Sequence, residues 1–348
     1  KAYEAMTGET LSDDREDAAT NELVLTSELA QSIGSDDAEK LMALVKEKVA
    51  NGDIKDADDL QKAIEDQIDD SLSAMSQIMK QNPEINDDLD QFHFSESDPE
   101  KILSLLKGAV SEDFPEVNGY KYTTKYVPKE LEQSFNPAFF LVPPIDDYKN
   151  CTIYINGGSS AGTDTLFTTL AHEGIPGHLY QNVYFLSHCD DPVRKVLSFL
   201  GYSEGWAVYS EYYAYTLDTS VSPEVSQIMA YNASAMLGLH ALIDLNVNYY
   251  GWTQDQVADY LKQFFSIDQE QVAEAIYQAV RSNPSNYVAY YGGYCEIMKM
   301  KTEAENTLKE QFQPLRFHQF LLDMGPMPFA VMDRYFKAWL LTYSLGGK

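Results

Sequence analysis

Ala171-His172-Glu173-Gly174-Ile175-Pro176-Gly177-His178 sets two imidazoles and a carboxylate within eight residues, and Ser203-Glu204-Gly205-Trp206-Ala207 adds a second carboxylate 26 residues beyond His178. These are the parts of a hydrolytic zinc site, which takes three protein ligands and keeps one position for water. The reading is His172, His178 and Glu204 as ligands, with Glu173 as the base that accepts a proton from that water. The spacing needs its own argument. Residues four apart return to one face of a helix, whereas His172 and His178 are six apart and diverge by about 120°. Pro176 removes a backbone donor and clashes with the carbonyl four residues back, that of His172. A kink or bulge at Pro176-Gly177 would absorb two residues and turn His178 back. The alternative is a helix that stops at Pro176 and leaves His178 an ordinary surface residue. Spacing alone does not separate the two.

Upstream, Tyr120 to Val127 alternates and is rich in β-formers, and Ala138 to Val142 and Cys151 to Asn156 are short apolar runs. Together they predict a small sheet ahead of the metal helix. Asn156 to Gly162 is glycine-rich without the Gly-Lys-Ser/Thr of a phosphate loop. It reads as a connection or a lid, with Asp164 or Thr163 capping the metal helix. Downstream, Asp190-Asp191-Pro192 opens a helix carrying Arg194, Leu197, Leu200 and Glu204. Glu204, Val208, Glu211 and Tyr212 share one of its faces. Glu211 reads as a carboxylate that orients a ligand imidazole, or as a surface residue. Trp206 reads as packing. Met236 to Asn248 is apolar and helical, with His240 and Asp244 four apart. That spacing suits a metal or a charge-assisted pair, and the pair is preferred because three ligands are already in hand.

Asn286 to Tyr294 holds four tyrosines and two glycines. Glycine permits close approach, and a phenol can donate to a developing oxyanion. Tyrosines that simply span core and surface explain the run equally well.

The run Thr165 to Gln181 and the run Glu204 to Glu211 resemble a bacterial family catalogued as domain of unknown function 885. Pro143-Pro144-Ile145-Asp146, Ile153-Tyr154-Ile155-Asn156, Gly251-Trp252-Thr253 and Ala289-Tyr290 fit in order. The likeness covers about residues 135 to 345, and residues 1 to about 115 match nothing by motif. That family resembles a distant branch of the zinc metallopeptidases whose third ligand is a glutamate. The resemblance implies Zn2+ as cofactor and a peptide as substrate. It implies an edge strand at residues 152–156, Tyr154 included, that pairs with the substrate backbone. It also implies Tyr290 as the oxyanion donor, with Tyr291 the next match.

Composition bounds the rest. The chain of 348 residues is 44% hydrophobic, enough for a large core, and carries a net charge of −29. Residues 1–100 hold 27 acidic and 8 basic side chains, so −19 of that charge lies there. Such a balance speaks against nucleic acid as a partner. Cys151, Cys189 and Cys295 are too few and scattered for a disulfide framework. No run of 18 apolar residues exists, so no membrane-spanning segment is expected. The chain opens on Lys1-Ala2-Tyr3-Glu4 as if cut from a precursor. An extracytoplasmic location, in the cell envelope or secreted, follows if a targeting segment has been removed.

Leu23 to Ile33, Leu41 to Val49 and Leu60 to Met79 each show helical spacing, and the last stripe runs Leu60, Ile64, Ile68, Leu72, Met75, Met79. Residues 82–98 read as a polar linker. Phe317 to Leu341 reads as a helical hairpin broken at Gly325-Pro326. The expected fold is mainly α-helical with one small β-sheet beside the active site, resembling a zincin-like metallopeptidase. Residues 1–118 form an acidic helical portion and 119–348 the catalytic portion. The expected reaction is peptide hydrolysis. A metal-dependent hydrolase of other amides or esters, or a metal-binding protein without activity, are the competing readings.

Overall fold

A computed structural model describes residues 56–134, 136–158, 165–218, 222–265 and 270–344 of the chain. The two helices expected between residues 20 and 50, and the caps expected at Thr163 and Asp164, lie outside these residues. Residues 54–336 form one compact unit.

Its first helix, α1 (Ala57–Gln81), starts where the Asp56 side chain accepts from the Asp59 amide at 3.0 Å, satisfying a donor that the first turn cannot. Ile64 and Ile68 are buried along the apolar stripe, while Leu72 and Met79 at its far end stay exposed. Residues 82–98 are packed, which corrects the linker reading. They carry α2 (Ile85–Asp90), whose Ile85 is buried against Val225 and Ile228. Phe94 stacks on Phe167 with ring centres 4.6 Å apart. Polar turn residues concealed these two apolar anchors. Helix α3 (Pro99–Ala109) follows, capped by Asp98.

Three strands come next, β1 (Lys121–Tyr126), β2 (Ala138–Leu141) and β3 (Asn150–Ile155). Their order is β1-β3-β2, with β1 parallel to β3 and β2 antiparallel to it. In register, Lys121 faces Asn150 and Phe140 faces Ile153. The strand at 152–156 is therefore central, with a ladder on either side. It has no open edge for a substrate, contrary to the expectation. The outer strands β1 and β2 hold the edge positions instead. On β3, Cys151, Ile153 and Ile155 are buried. Tyr154 points to the opposite face and stacks on Phe139 at 5.1 Å.

The rest of the chain is helical: α4 (Leu166–Glu173), α5 (His178–His188), α6 (Leu200–Ala214), α7 (Pro223–Asn248), α8 (Gln254–Leu261), α9 (Glu270–Ser282), α10 (Asn286–Leu308), α11 (Pro314–Met324) and α12 (Phe329–Ser344). No helix opens at Asp190-Asp191-Pro192. A single 3-10 turn (Arg194–Val196) and an extended Phe199 precede α6, so Leu197 and Leu200 face solvent.

Helix α7 packs on α1 and α10 and is the scaffold's centre. It is long and apolar enough by composition to cross a bilayer, yet 56% of its apolar window is buried inside the protein. Helices α6 and α10 cross at glycine. A Cβ on Gly205 would lie 2.4 Å from the Gly293 carbonyl carbon, and one on Gly293 would lie 1.9 Å from the Gly201 oxygen. Only hydrogen at these positions lets the two backbones meet.

Candidate metal centre

Helix α4 delivers His172 and Glu173 in its last turn, and α5 begins on His178. Between them the helical ladder widens. Gly174 N still bonds Leu170 O at 2.9 Å, but Gly177 N reaches back six residues to Ala171 O at 2.8 Å. Tyr180 N likewise reaches Gly174 O at 3.1 Å. The Ile175-Pro176 peptide bond is cis. Two residues are thus absorbed in the bulge, and the i, i+6 histidines converge with ring centres 4.9 Å apart. Gly177 has no alternative here, because its Cβ would stand 1.8 Å from the His172 carbonyl oxygen. The buried Trp206 clamps the bulge from α6, its indole N–H donating to the Pro176 carbonyl at 2.8 Å.

Ligand atoms of His172, Glu173 and His178 lie within 4.8 Å of one another, a group able to hold a metal ion. Helix α6 aims Glu204 at the same point. Its Oε2 is 3.6 Å from His172 Nε2 and 3.3 Å from His178 Nε2. That oxygen is buried and has no hydrogen-bond partner. Four ligands at ~2.0–2.2 Å around a tetrahedral ion are themselves ~3.3–3.6 Å apart. The two separations from Glu204 match that spacing.

The electrostatics agree. Burial works against a charged His172, but Glu204, Glu211 and Glu173 together outweigh it and push its pKa up to about 10. Burial alone would raise Glu204, yet the two imidazoles hold it down at about 2. Three carboxylates around one buried and one half-buried imidazole call for positive charge, as a proton or as a metal ion.

Glu211, two turns along from Glu204, accepts from His172 Nδ1–H at 2.9 Å, which turns Nε2 toward Glu204. Glu173 is placed differently from Glu204. Its Oε2 accepts from the Phe140 amide on the outer edge of β2 at 2.8 Å. Sequence reasoning missed this contact, since nothing local to Phe140 or Glu173 announces it. Tyr290 comes in from α10. Its ring lies nearly parallel to that of His172, with centres 5.9 Å apart. Burial, then the Glu204 charge, raises the Tyr290 pKa, so the phenol keeps its proton.

Three expected members are not brought into this cluster. Tyr291 is fully buried on the other side of α10, its hydroxyl 3.0 Å from Ser234 Oγ. A turn of about 100° separates it from Tyr290. His240 bonds its own helix through Met236 O and packs by Tyr287. The expected His240–Asp244 pair does not form, because Asp244 instead accepts from the amides of Ser285, Tyr287 and Val288 at the start of α10. Tyr154 is held on the sheet face opposite Ile153, the residue that abuts Gly174 in the bulge.

Comparison with known proteins places the chain. Over 77 residues it is 42% identical to the uncharacterized protein YpuA of Bacillus subtilis (strain 168), covering 22% of this chain and 25% of that one. Its fold is similar to a "putative lipoprotein" from Colwellia psychrerythraea, with TM-score 0.68, 19% identity, and 87% of this chain against 55% of the other. It is also similar to a "putative lipoprotein of unknown function" from Shewanella oneidensis, with TM-score 0.61, 20% identity, and 94% against 67%. The chain thus spans about half of one structural relative and a quarter of YpuA. Residues 25–335 match the family described as bacterial protein of unknown function, so the match starts well before the motifs at 135 and corrects the view that the first 115 residues match nothing. The chain belongs to that family, DUF885.

Proposed function

We propose that the protein is a zinc-dependent peptidase with a zincin-like catalytic portion at 119–348. His172, His178 and Glu204 would hold the metal, and Glu173 would be the general base. The observation that carries this reading is the buried, unbonded Glu204 Oε2 facing both Nε2 atoms at 3.3 and 3.6 Å. Glu173 already has a donor on one oxygen, the Phe140 amide, so it is the less suited of the two carboxylates to serve as ligand.

Bound zinc supplies Lewis acidity, lowering the pKa of a water toward ~7 and polarising a carbonyl. The chain's own groups do the rest. Glu173 takes the proton from the attacking water and returns it to the leaving amine. The Phe140 amide fixes Glu173 while its second oxygen moves the proton. Tyr290 donates to the oxyanion, and Glu211 holds the His172 ring in place.

Glu173→Gln separates base from ligand. It should keep about one zinc per chain and lose ~10²–10⁴-fold in hydrolysis of a peptide panel. Glu204→Ala should lose the metal. If Glu173→Gln loses the metal as well, Glu173 is a ligand and the assignment is wrong. If small amides or esters are hydrolysed and peptides are not, the protein is a hydrolase of that class. Two structural relatives bear lipoprotein names, which supports a cell-envelope location. The charge of −29 supports a partner other than nucleic acid.

A further inference from the structure

The segment that leads into the helix of Glu204 turns aliphatic side chains outward. Val193, Val196, Leu197 and Leu200 are 62, 71, 45 and 53% exposed. Single exposed aliphatics are ordinary, but four within eight residues make a patch of the kind that marks a binding surface. This exposure is built into the fold. Arg194, from the same turn, points inward, with its guanidinium 5.3 Å from the Phe185 ring centre and donating to the Met324 carbonyl. Lys195 N to Asp191 O, Val196 N to Val193 O and Leu197 N to Arg194 O close the turn. The arginine is the anchor, and the valines and leucines are left outside.

Position ties this patch to the metal centre. Leu200 lies four residues before Glu204 on α6, on the same face and ~6 Å along the axis. An extended peptide advances ~3.3 Å per residue. A peptide lying along the α6 axis with one carbonyl at Glu204 and His172 would set a side chain about two residues away over Leu200. We propose that Leu197 and Leu200, continued by Val193 and Val196, form an apolar shelf that selects peptides with a large aliphatic or aromatic side chain at that position. This substrate class rests on the peptidase reading. A phosphate-rich lipid surface fits poorly, because Asp190 and Asp191 immediately precede the shelf in a chain of charge −29.

Two readouts keep the shelf and the reaction apart. The first is cleavage of a defined peptide mixture by the zinc-loaded protein, with products read by mass spectrometry. Wild type should enrich Leu, Ile, Val or Phe about two residues from the cut bond. In the double variant Leu197→Ser/Leu200→Ser, the preference for such peptides over serine-bearing counterparts should shrink ~10–100-fold, chiefly through KM. The second readout is fluorescence anisotropy of a labelled apolar peptide and its serine counterpart on Glu173→Gln, with and without the shelf substitutions. Both substitutions are at exposed sites, and an unchanged melting temperature confirms folding. Shelf-dependent binding without wild-type hydrolysis would uphold the shelf and overturn the peptidase. Hydrolysis whose preference ignores both leucines would overturn the shelf and leave the peptidase standing. Absence of both binding and hydrolysis overturns both. Loss of a dimer or of vesicle binding in the double variant, with peptide preference intact, assigns the patch to another partner and overturns the proposal.

Discussion

Gly177→Ala tests the bulge on which the metal centre depends. An alanine Cβ would lie 1.8 Å from the His172 carbonyl oxygen and 2.4 Å from that of Ala171. Carbon and oxygen come no closer than ~3.3 Å in ordinary contact, so the backbone must open by about 1.5 Å. No side-chain rotation relieves the clash, since both oxygens are main chain and Gly177 N is itself bonded to Ala171 O. His178 is the next residue and moves with it. Metal sites tolerate ~0.2 Å in ligand distance, so a shift of this size takes His178 out of the set. The stability cost is that of overpacking, ~1–3 kcal/mol, which a domain of this size survives. We expect a folded protein whose zinc affinity falls by more than the ~10–100-fold that loss of an orienting partner costs. Competition against a chromophoric chelator measures the affinity, and thermal unfolding measures the fold. Gly108→Ala, where an added Cβ meets nothing within 4 Å, is the control. Wild-type zinc affinity in Gly177→Ala with an unshifted melting temperature would refute the geometric argument.

Glu211→Gln removes the charge that orients His172 and should weaken zinc binding ~10–100-fold without unfolding the protein, again by chelator competition. Tyr290→Phe should lower turnover ~10²–10³-fold at constant metal content, while Tyr291→Phe should reduce stability and spare turnover; the reverse pattern would move the oxyanion donor to Tyr291. His318, fully buried between Tyr209 and the Asp113 carbonyl, is held neutral mainly by burial, with a pKa lowered to about 4 from 6.5. The unfolded chain takes up this proton first, so the linked stability is complete above pH ~6.5 and lost as pH falls toward ~4, on the order of 3 kcal/mol. Denaturant midpoints at pH 7 and pH 5 should therefore diverge more in wild type than in His318→Gln.

The parts of the site that sequence could reveal are those whose chemistry is local. His172, Glu173, His178 and Glu204 are recognisable because few other arrangements use that donor set, and Pro176-Gly177 because a proline and a glycine dictate where a helix must give way. The three strands were legible from alternation, but their order was not. Placing β3 in the centre depends on β1 and β2 choosing opposite sides of it, a pairing between residues up to 29 positions apart that no single strand encodes. The same limit misassigned Arg194 and Leu197, which precede the helix of Glu204 while Leu200 opens it. Their spacing from Glu204 suits one helical stripe, and what sets the turn apart is Arg194 reaching the distant Phe185 and Met324. Helical spacing also proposed His240 with Asp244, but backbone amides at the start of α10 claim the aspartate. Tyr290 and Tyr291 were inseparable by type. Close approach of α6 and α10 at Gly205 and Gly293 decides between them, because it brings the Tyr290 face of α10 to Glu204 and leaves Tyr291 to the core. That crossing makes a further demand on the site. A side chain larger than hydrogen at Gly205 or Gly293 would push Tyr290 away from Glu204, so the glycines of the helix crossing are as necessary to the metal centre as the groups that face the metal.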